Sequence, residues 1–147
     1  MKATLFLRKD HEQIRNLFSQ YRQGKGSGNG KRAVLEQIKR ELIVHTQIEI
    51  ELLYPELDFM TGETEKRMQA ALQDDRQINK TLSEMTQTTD EKQFEAKVAG
   101  LIDKIDRHIE EEEELFEEIR KSVSEQRLEE LGLEMEDRKR LLTQIAA

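Results

Sequence analysis

Two histidine–glutamate pairs interrupt apolar helical stripes in this chain. One stripe reads Phe94, Val98, Leu101, Ile105, His108, Glu112, Leu115, Ile119, with steps that alternate between 4 and 3. This is the rhythm of a core-facing helix surface. The other reads Leu35, Ile38, Leu42, His45, Glu49, Leu52, again in steps of 3 and 4. The strings HTQIEIELL from His45 and HIEEEEELF from His108 share the pattern H-x-x-x-E-x-E-L followed by Leu or Phe, so the polar interruption is an internal repeat. Residues one helical turn apart point the same way. A carboxylate buried on such a stripe is costly unless it is paired or holds a metal ion.

Two further helices contribute polar residues to their inner faces. The stripe Leu7, His11, Ile14, Phe18, Tyr21 carries His11, and the stripe Met68, Leu72, Asp75, Ile78, Leu82, Met85 carries Asp75. All 3 histidines of the chain therefore fall on inferred inner faces. Imidazole and carboxylate without thiolate suit iron, manganese or zinc rather than copper(I) or an iron–sulfur cluster. His11, His45, Glu49, Asp75, His108 and Glu112 are the candidate metal ligands. The set is too large for a single zinc ion and suits a pair of five- or six-coordinate ions bridged by carboxylates. Against this stands a buried polar network that fixes helix register, an attested use of core polar groups. Asp75 is the residue most open to the second reading, since a small rotation of its helix would bring it to solvent or to Arg76. Glu51 and Glu114, at equivalent places in the repeat, are expected to be exposed, with outer support of the histidines as the alternative. Tyr21 and Tyr54 are assigned no chemistry, and the methionines read as core filler.

Long helices must position these residues. The periodicity predicts helices over about Thr4 to Gln23, Lys31 to Tyr54, Glu63 to Thr86 and Glu91 to Lys121, with Pro55 permitting one irregular turn before the chain leaves the second. GKGSGNG, residues 24–30, reads as a flexible connection. TQTTD, residues 86–90, reads as a turn with Thr89 and Asp90 as cap candidates. Ser122 with Glu125 fits a capping box for a last segment carrying Leu128, Leu131, Met135, Leu141, Leu142 and Ile145, with Gly132 as a possible break. No strand pattern is present. The expected fold is all-α: an up-down-up-down four-helix bundle over about 4–121 with an additional C-terminal helical segment over about 125–146, together one domain over 1–147. The last segment either caps one end or offers its apolar face to a second copy or a protein partner.

Composition narrows the function further. Charged residues make up 37% of the chain, which suits the exposed faces of long helices. A net charge of -7 argues against nucleic acid and anionic membrane as partners. The absence of cysteine removes disulfides, thiolate metal sites and thiol redox chemistry. MKATLFLRKDHEQ carries no apolar leader, and no stretch has the length of a membrane span, so a cytoplasmic setting is expected. No phosphate loop and no Ser/His/Asp arrangement is present, and whether the protein is an enzyme is left open.

The strings DHEQI at 10–14, HTQIEIELLYP at 45–55 and HIEEEEELF at 108–116 resemble the hemerythrin-like HHE cation-binding domain family. The ending ELGLEMEDRK is similar to the tail of its bacterial members, and the resemblance covers nearly the whole chain. It implies a four-helix bundle around a non-heme iron site of two ions, with zinc or manganese as alternatives. By motif match it implies His11, His45, Glu49, His108 and Glu112 as ligands, with Glu49 and Glu112 bridging. It also implies a partner among small diatomic or peroxide ligands, which the protein would bind, sense or react with, or else a role in handling iron. One departure stands out: the third helix has QDDRQI where the family carries a histidine, so Asp75 occupies that place. Either Asp75 ligates a metal in a carboxylate-rich site, or one metal position is weakened, leaving a mononuclear site or an interaction bundle. With 3 histidines instead of the five of oxygen carriers, oxidation or sensing fits better than reversible oxygen carriage.

Overall fold

A computed structural model describes residues 1–24, 29–85 and 87–146. Part of the glycine-rich connection, residues 25–28, and Thr86 of the predicted turn lie outside the described residues. The helices are α1 (Ala3–Arg22), α2 (Asn29–Ile48), α3 (Gly62–Met85), α4 (Glu91–Ser122) and α5 (Glu125–Ala146), and no strand occurs among the described residues. The second helix continues past Ile48 as a π-helical turn, Glu49–Leu53, and a last helical turn, Tyr54–Glu56. No described helix is long and apolar enough to cross a membrane.

The ends follow local chemistry. Gly24, at φ 64°, takes the left-handed conformation that ends α1. The Asp90 side chain caps α4 by accepting from the backbone N–H groups of Lys92 and Gln93. The cap of α5 is Ser124, whose Oγ accepts from the N–H of Arg127 at 3.1 Å. Ser122 is instead the last residue of α4, because Val123 is extended and the connection needs only two residues. Gly132 does not break α5, which runs through it unbroken. A Cβ at Gly132 would overlap the carbonyl oxygen of Met1, so the glycine is there to let the start of the chain lie against the helix.

Helices α1 to α4 pack as a ring, each against the next and α4 against α1, in the up-down-up-down order; α5 lies outside the ring across α1, α2 and the π-helical turn. Leu128, Leu131 and Met135 bury its near half, while Leu133, Leu141 and Ile145 remain exposed. The C-terminal segment therefore packs on its own chain over its first turns, and its second half keeps apolar side chains exposed.

The core falls into two apolar clusters. One joins Phe6, Leu7, Ile48, Leu53, Phe116 and Met135 with their neighbours, and the other joins Ile14, Phe18, Ile38, Ile78, Leu82 and Ile105 with theirs. Every ring helix passes from one cluster to the other, and at the crossing each exposes a polar residue inward: His11, His45 and Glu49, Asp75, His108 and Glu112. A polar layer is thus sealed between two apolar plugs.

Candidate metal centre

The structure brings all of these polar residues together. Glu49, Asp75 and Glu112 are 0% exposed, and the histidines are nearly so, which removes the alternative of a solvent-facing Asp75. His45 Nε2 lies 2.8 Å from Glu49 Oε1, and His11 Nε2 lies 3.2 Å from Glu112 Oε1. His108 Nε2 lies 2.9 Å from Asp75 Oδ1 and 3.0 Å from Glu112 Oε2. His11, His45 and Glu112 present ligand atoms within 4.8 Å of one another, as do Glu49, Asp75, His108 and Glu112, so Glu112 belongs to both sets.

Proximity is not pairing here. The Nε2 atoms of all three histidines, both oxygens of Glu49, Asp75 Oδ1 and Glu112 Oε1 are buried without an aligned hydrogen-bond partner. Buried polar atoms rarely stay unsatisfied, because each costs about 1–3 kcal/mol. Lone pairs that face a shared point rather than one another are the arrangement a cation satisfies.

The far sides of the imidazoles are held differently. His45 Nδ1 lies 3.1 Å from Asp10 Oδ2, and His108 Nδ1 lies 3.3 Å from Asp74 Oδ2. His11 stacks on Phe116 with ring centroids 5.7 Å apart and planes at 7°, and its edge meets His45 at 4.9 Å. Fixing Nδ1–H on a carboxylate leaves Nε2 as the lone-pair nitrogen, the usual outer arrangement of a ligating histidine.

Electrostatics shows how unfavourable the layer is with protons alone. Burial opposes a charge on His108, yet its contacts with Asp75 and Glu112 push it up to about 11. Burial likewise opposes His45, but Asp10 and Glu112 hold its pKa above the ordinary value. Burial wins at His11 and lowers it. Burial together with repulsion from Asp75 and Glu112 drives Glu49 well up, whereas Glu112, despite burial, is held well down by Glu49, His108 and His11. Asp75 is raised, chiefly by burial. Carboxylates crowded in a dry layer cannot all ionise unless positive charge joins them.

Three residues at the site were not among those picked from the sequence. Tyr54, given no chemistry, is buried and donates its hydroxyl to Asp75 Oδ2 at 3.0 Å and approaches Glu112 Oε2 at 3.4 Å. The π-helical turn puts it there. The Tyr54 N–H bonds the Glu49 carbonyl five residues back, so one extra residue enters the turn and carries Tyr54 and Leu53 inward. Leu52, expected on the seam, is consequently only half-buried. Asp10 had a readable signal: Leu7, Asp10, Ile14, Leu17 and Tyr21 form a second buried stripe on α1, beside the one that holds His11. Asp74 had none beyond its place next to Asp75. Glu114 is exposed as expected, while Glu51 is half-buried and held by Arg138 Nε and Nη2 at 2.6 and 2.9 Å.

The profile of the Hemerythrin HHE cation binding domain matches residues 3–119, from α1 to within the last turn of α4. No curated protein and no solved structure matches the chain. With most of its length and the whole helical ring inside that match, the chain belongs to the hemerythrin HHE cation-binding domain family.

Proposed function

We propose that the polar layer holds two cations, iron first among the candidates, with His11, His45 and Glu112 serving one ion and Glu49, Asp75, His108 and Glu112 the other. Residues 1–147 then act as one domain in which α5 buttresses the layer. The observation that carries this reading is the set of buried, unpartnered nitrogen and oxygen atoms contributed by all four ring helices. Asp75 takes the place of the expected third-helix histidine. Its full burial beside His108 supports a ligand role in a carboxylate-rich site and speaks against loss of that metal position. Such a donor set favours iron, manganese or zinc. Iron held there would supply redox chemistry toward oxygen, nitric oxide or peroxide. Around it, Phe116 and the two apolar clusters exclude bulk water, Asp10 and Asp74 orient two of the imidazoles, and the Tyr54 hydroxyl holds a proton against Asp75 and Glu112.

The test is metal content per chain by mass spectrometry, on protein purified without an affinity metal column and loaded anaerobically with iron(II). Two irons per chain is the expected result. One would support a mononuclear site, and none would support an interaction bundle whose site has decayed, for which the exposed Leu141 and Ile145 of α5 would be the surface.

A further inference from the structure

Helix α5 lies wholly beyond the family match, yet it reaches the candidate centre. Lys139 Nζ lies 2.5 Å from Asp10 Oδ1, and the other oxygen of the same carboxylate meets His45 Nδ1 at 3.1 Å. One turn of α5 is fastened beside this contact by the paired bonds of Arg138 to Glu51, so the ammonium is placed by a rigid neighbour rather than by a free side chain. Asp10 itself is buried. The second imidazole–carboxylate pair is built otherwise. Asp74 is 28% exposed, and among the described residues no lysine or arginine lies within ion-pair distance of it.

We propose that Lys139 is a positioning residue that sets the donor strength of His45 through Asp10, and so tunes the metal position on the His45 side and not the other. The inference rests on the two-cation reading above. A carboxylate behind a ligating histidine draws on its Nδ1 proton and makes Nε2 a stronger donor. The ammonium of Lys139 takes up part of the charge of Asp10 and weakens that pull. His108, backed by a carboxylate that water rather than a cation screens, feels no such restraint. Removing the ammonium gives His45 the full carboxylate behind it, and it also takes a positive charge away from the centre. Both changes stabilise the oxidised ion on the His45 side, so its reduction potential falls.

The experiment compares the full chain with K139M, K139Q and K139R, each loaded anaerobically with iron(II). Iron content, melting temperature, Mössbauer spectrum and spectroelectrochemical titration are recorded. The expected result is that K139M and K139Q shift one of the two iron signals and lower its potential, while K139R restores both. Loss of one iron per chain in the uncharged variants would overturn the inference, because a stronger His45 donor and the removal of a nearby positive charge should hold that ion more firmly. K139Q keeps a donor for Asp10 and so isolates the charge where K139M folds poorly. Iron-loaded K139M and K139Q with unchanged spectra and potential would overturn the proposal, whatever their melting temperatures. A wild-type chain that takes up no iron would overturn the metal-centre reading, and this inference with it.

Discussion

Tyr54 donates its hydroxyl to Asp75 across 3.0 Å, although Tyr54 lies beyond the point where a regular helix would have turned it away from the polar layer. The bond joins the irregular end of the second helix to the middle of the third. It supplies the layer with one of its few aligned donors. In Y54F, Asp75 Oδ2 loses that donor inside a dry site. The expected cost is about 1–3 kcal/mol in the metal-free protein, read by urea denaturation. Equal midpoints for the two proteins would mean that the hydroxyl is not needed there.

Glu112 contacts both His11 and His108, so its loss should not resemble the loss of either histidine. Under the two-cation reading, E112A removes most iron, whereas H11A and D75A each remove one ion in preference to the other. H45A and H108A likewise lose the ion on their own side in preference to the other, and melt at a lower temperature. Metal content by mass spectrometry checks each variant, and an E112A protein that retains both irons would defeat the bridging assignment.

Metal uptake should release protons. His108, held at about 11, is an imidazolium in the metal-free protein at neutral pH, and His45 is raised in the same direction. Ligation requires the neutral ring. Iron(II) or zinc binding therefore expels protons, and affinity rises as pH rises through the neutral range. Calorimetry in buffers of different ionisation enthalpy measures the number released, and a value of zero would contradict this account.

The pair that ties the end of the second helix to α5 gives a separate acid dependence. Arg127 meets Glu56 through two bonds of 2.7 and 2.8 Å, and this contact, against a small burial effect, lowers the Glu56 pKa. A lowered folded-state pKa gives stability that is present above the unfolded value and is lost as pH falls through the folded one. E56Q should thus be less stable than the parent at pH 7, by about 1 kcal/mol or less for so accessible a pair. The difference should close as pH drops below the ordinary carboxylate range. Melting curves across that range test it, and a gap that persists at low pH would assign the effect to packing.

Gly132→Ala sets two effects against each other. In an open helix the change stabilises by about 1 kcal/mol. Here the new methyl meets backbone, with the Met1 carbonyl carbon 2.9 Å and the Ala3 nitrogen 3.0 Å from its position. Backbone cannot swing aside as a flexible side chain does, so the strain of about 1–3 kcal/mol expected of overpacking should win. A lower midpoint in urea is the predicted outcome, and a higher one would show that the start of the chain moves away freely.

How much of this the sequence carries depends on whether a residue obeys a period. The four ring helices and the inward placement of His11, His45, Glu49, Asp75, His108 and Glu112 follow from stripes that alternate steps of three and four, because each stripe must be buried and each polar intrusion is conspicuous. Asp10 was legible in principle from the second stripe on α1. Tyr54 was not: one added residue in the π-helical turn shifts everything after it off the period. Lys139 was beyond reach for another reason. Its partner Asp10 is 129 positions away, and a contact made by packing one helix over two others leaves no local pattern. The role of Gly132 was hidden similarly, since it depends on where the start of the chain runs, whereas the cap at Ser124 is local and turns on Val123 being extended.

The turn at Glu49–Leu53 also bears on how the chain tolerates length change. It takes up one extra residue within one continuous helix: the Glu49 carbonyl accepts from the N–H of Tyr54, five residues on instead of four. A deletion of one residue within 50–52 would turn this step into an ordinary α-helical one and leave Tyr54 in the layer and Glu56 beside Arg127. In a regular stretch of the same helix the same deletion would swing all that follows by about 100°. Here a missing codon is absorbed, and elsewhere in the helix it is a rotation.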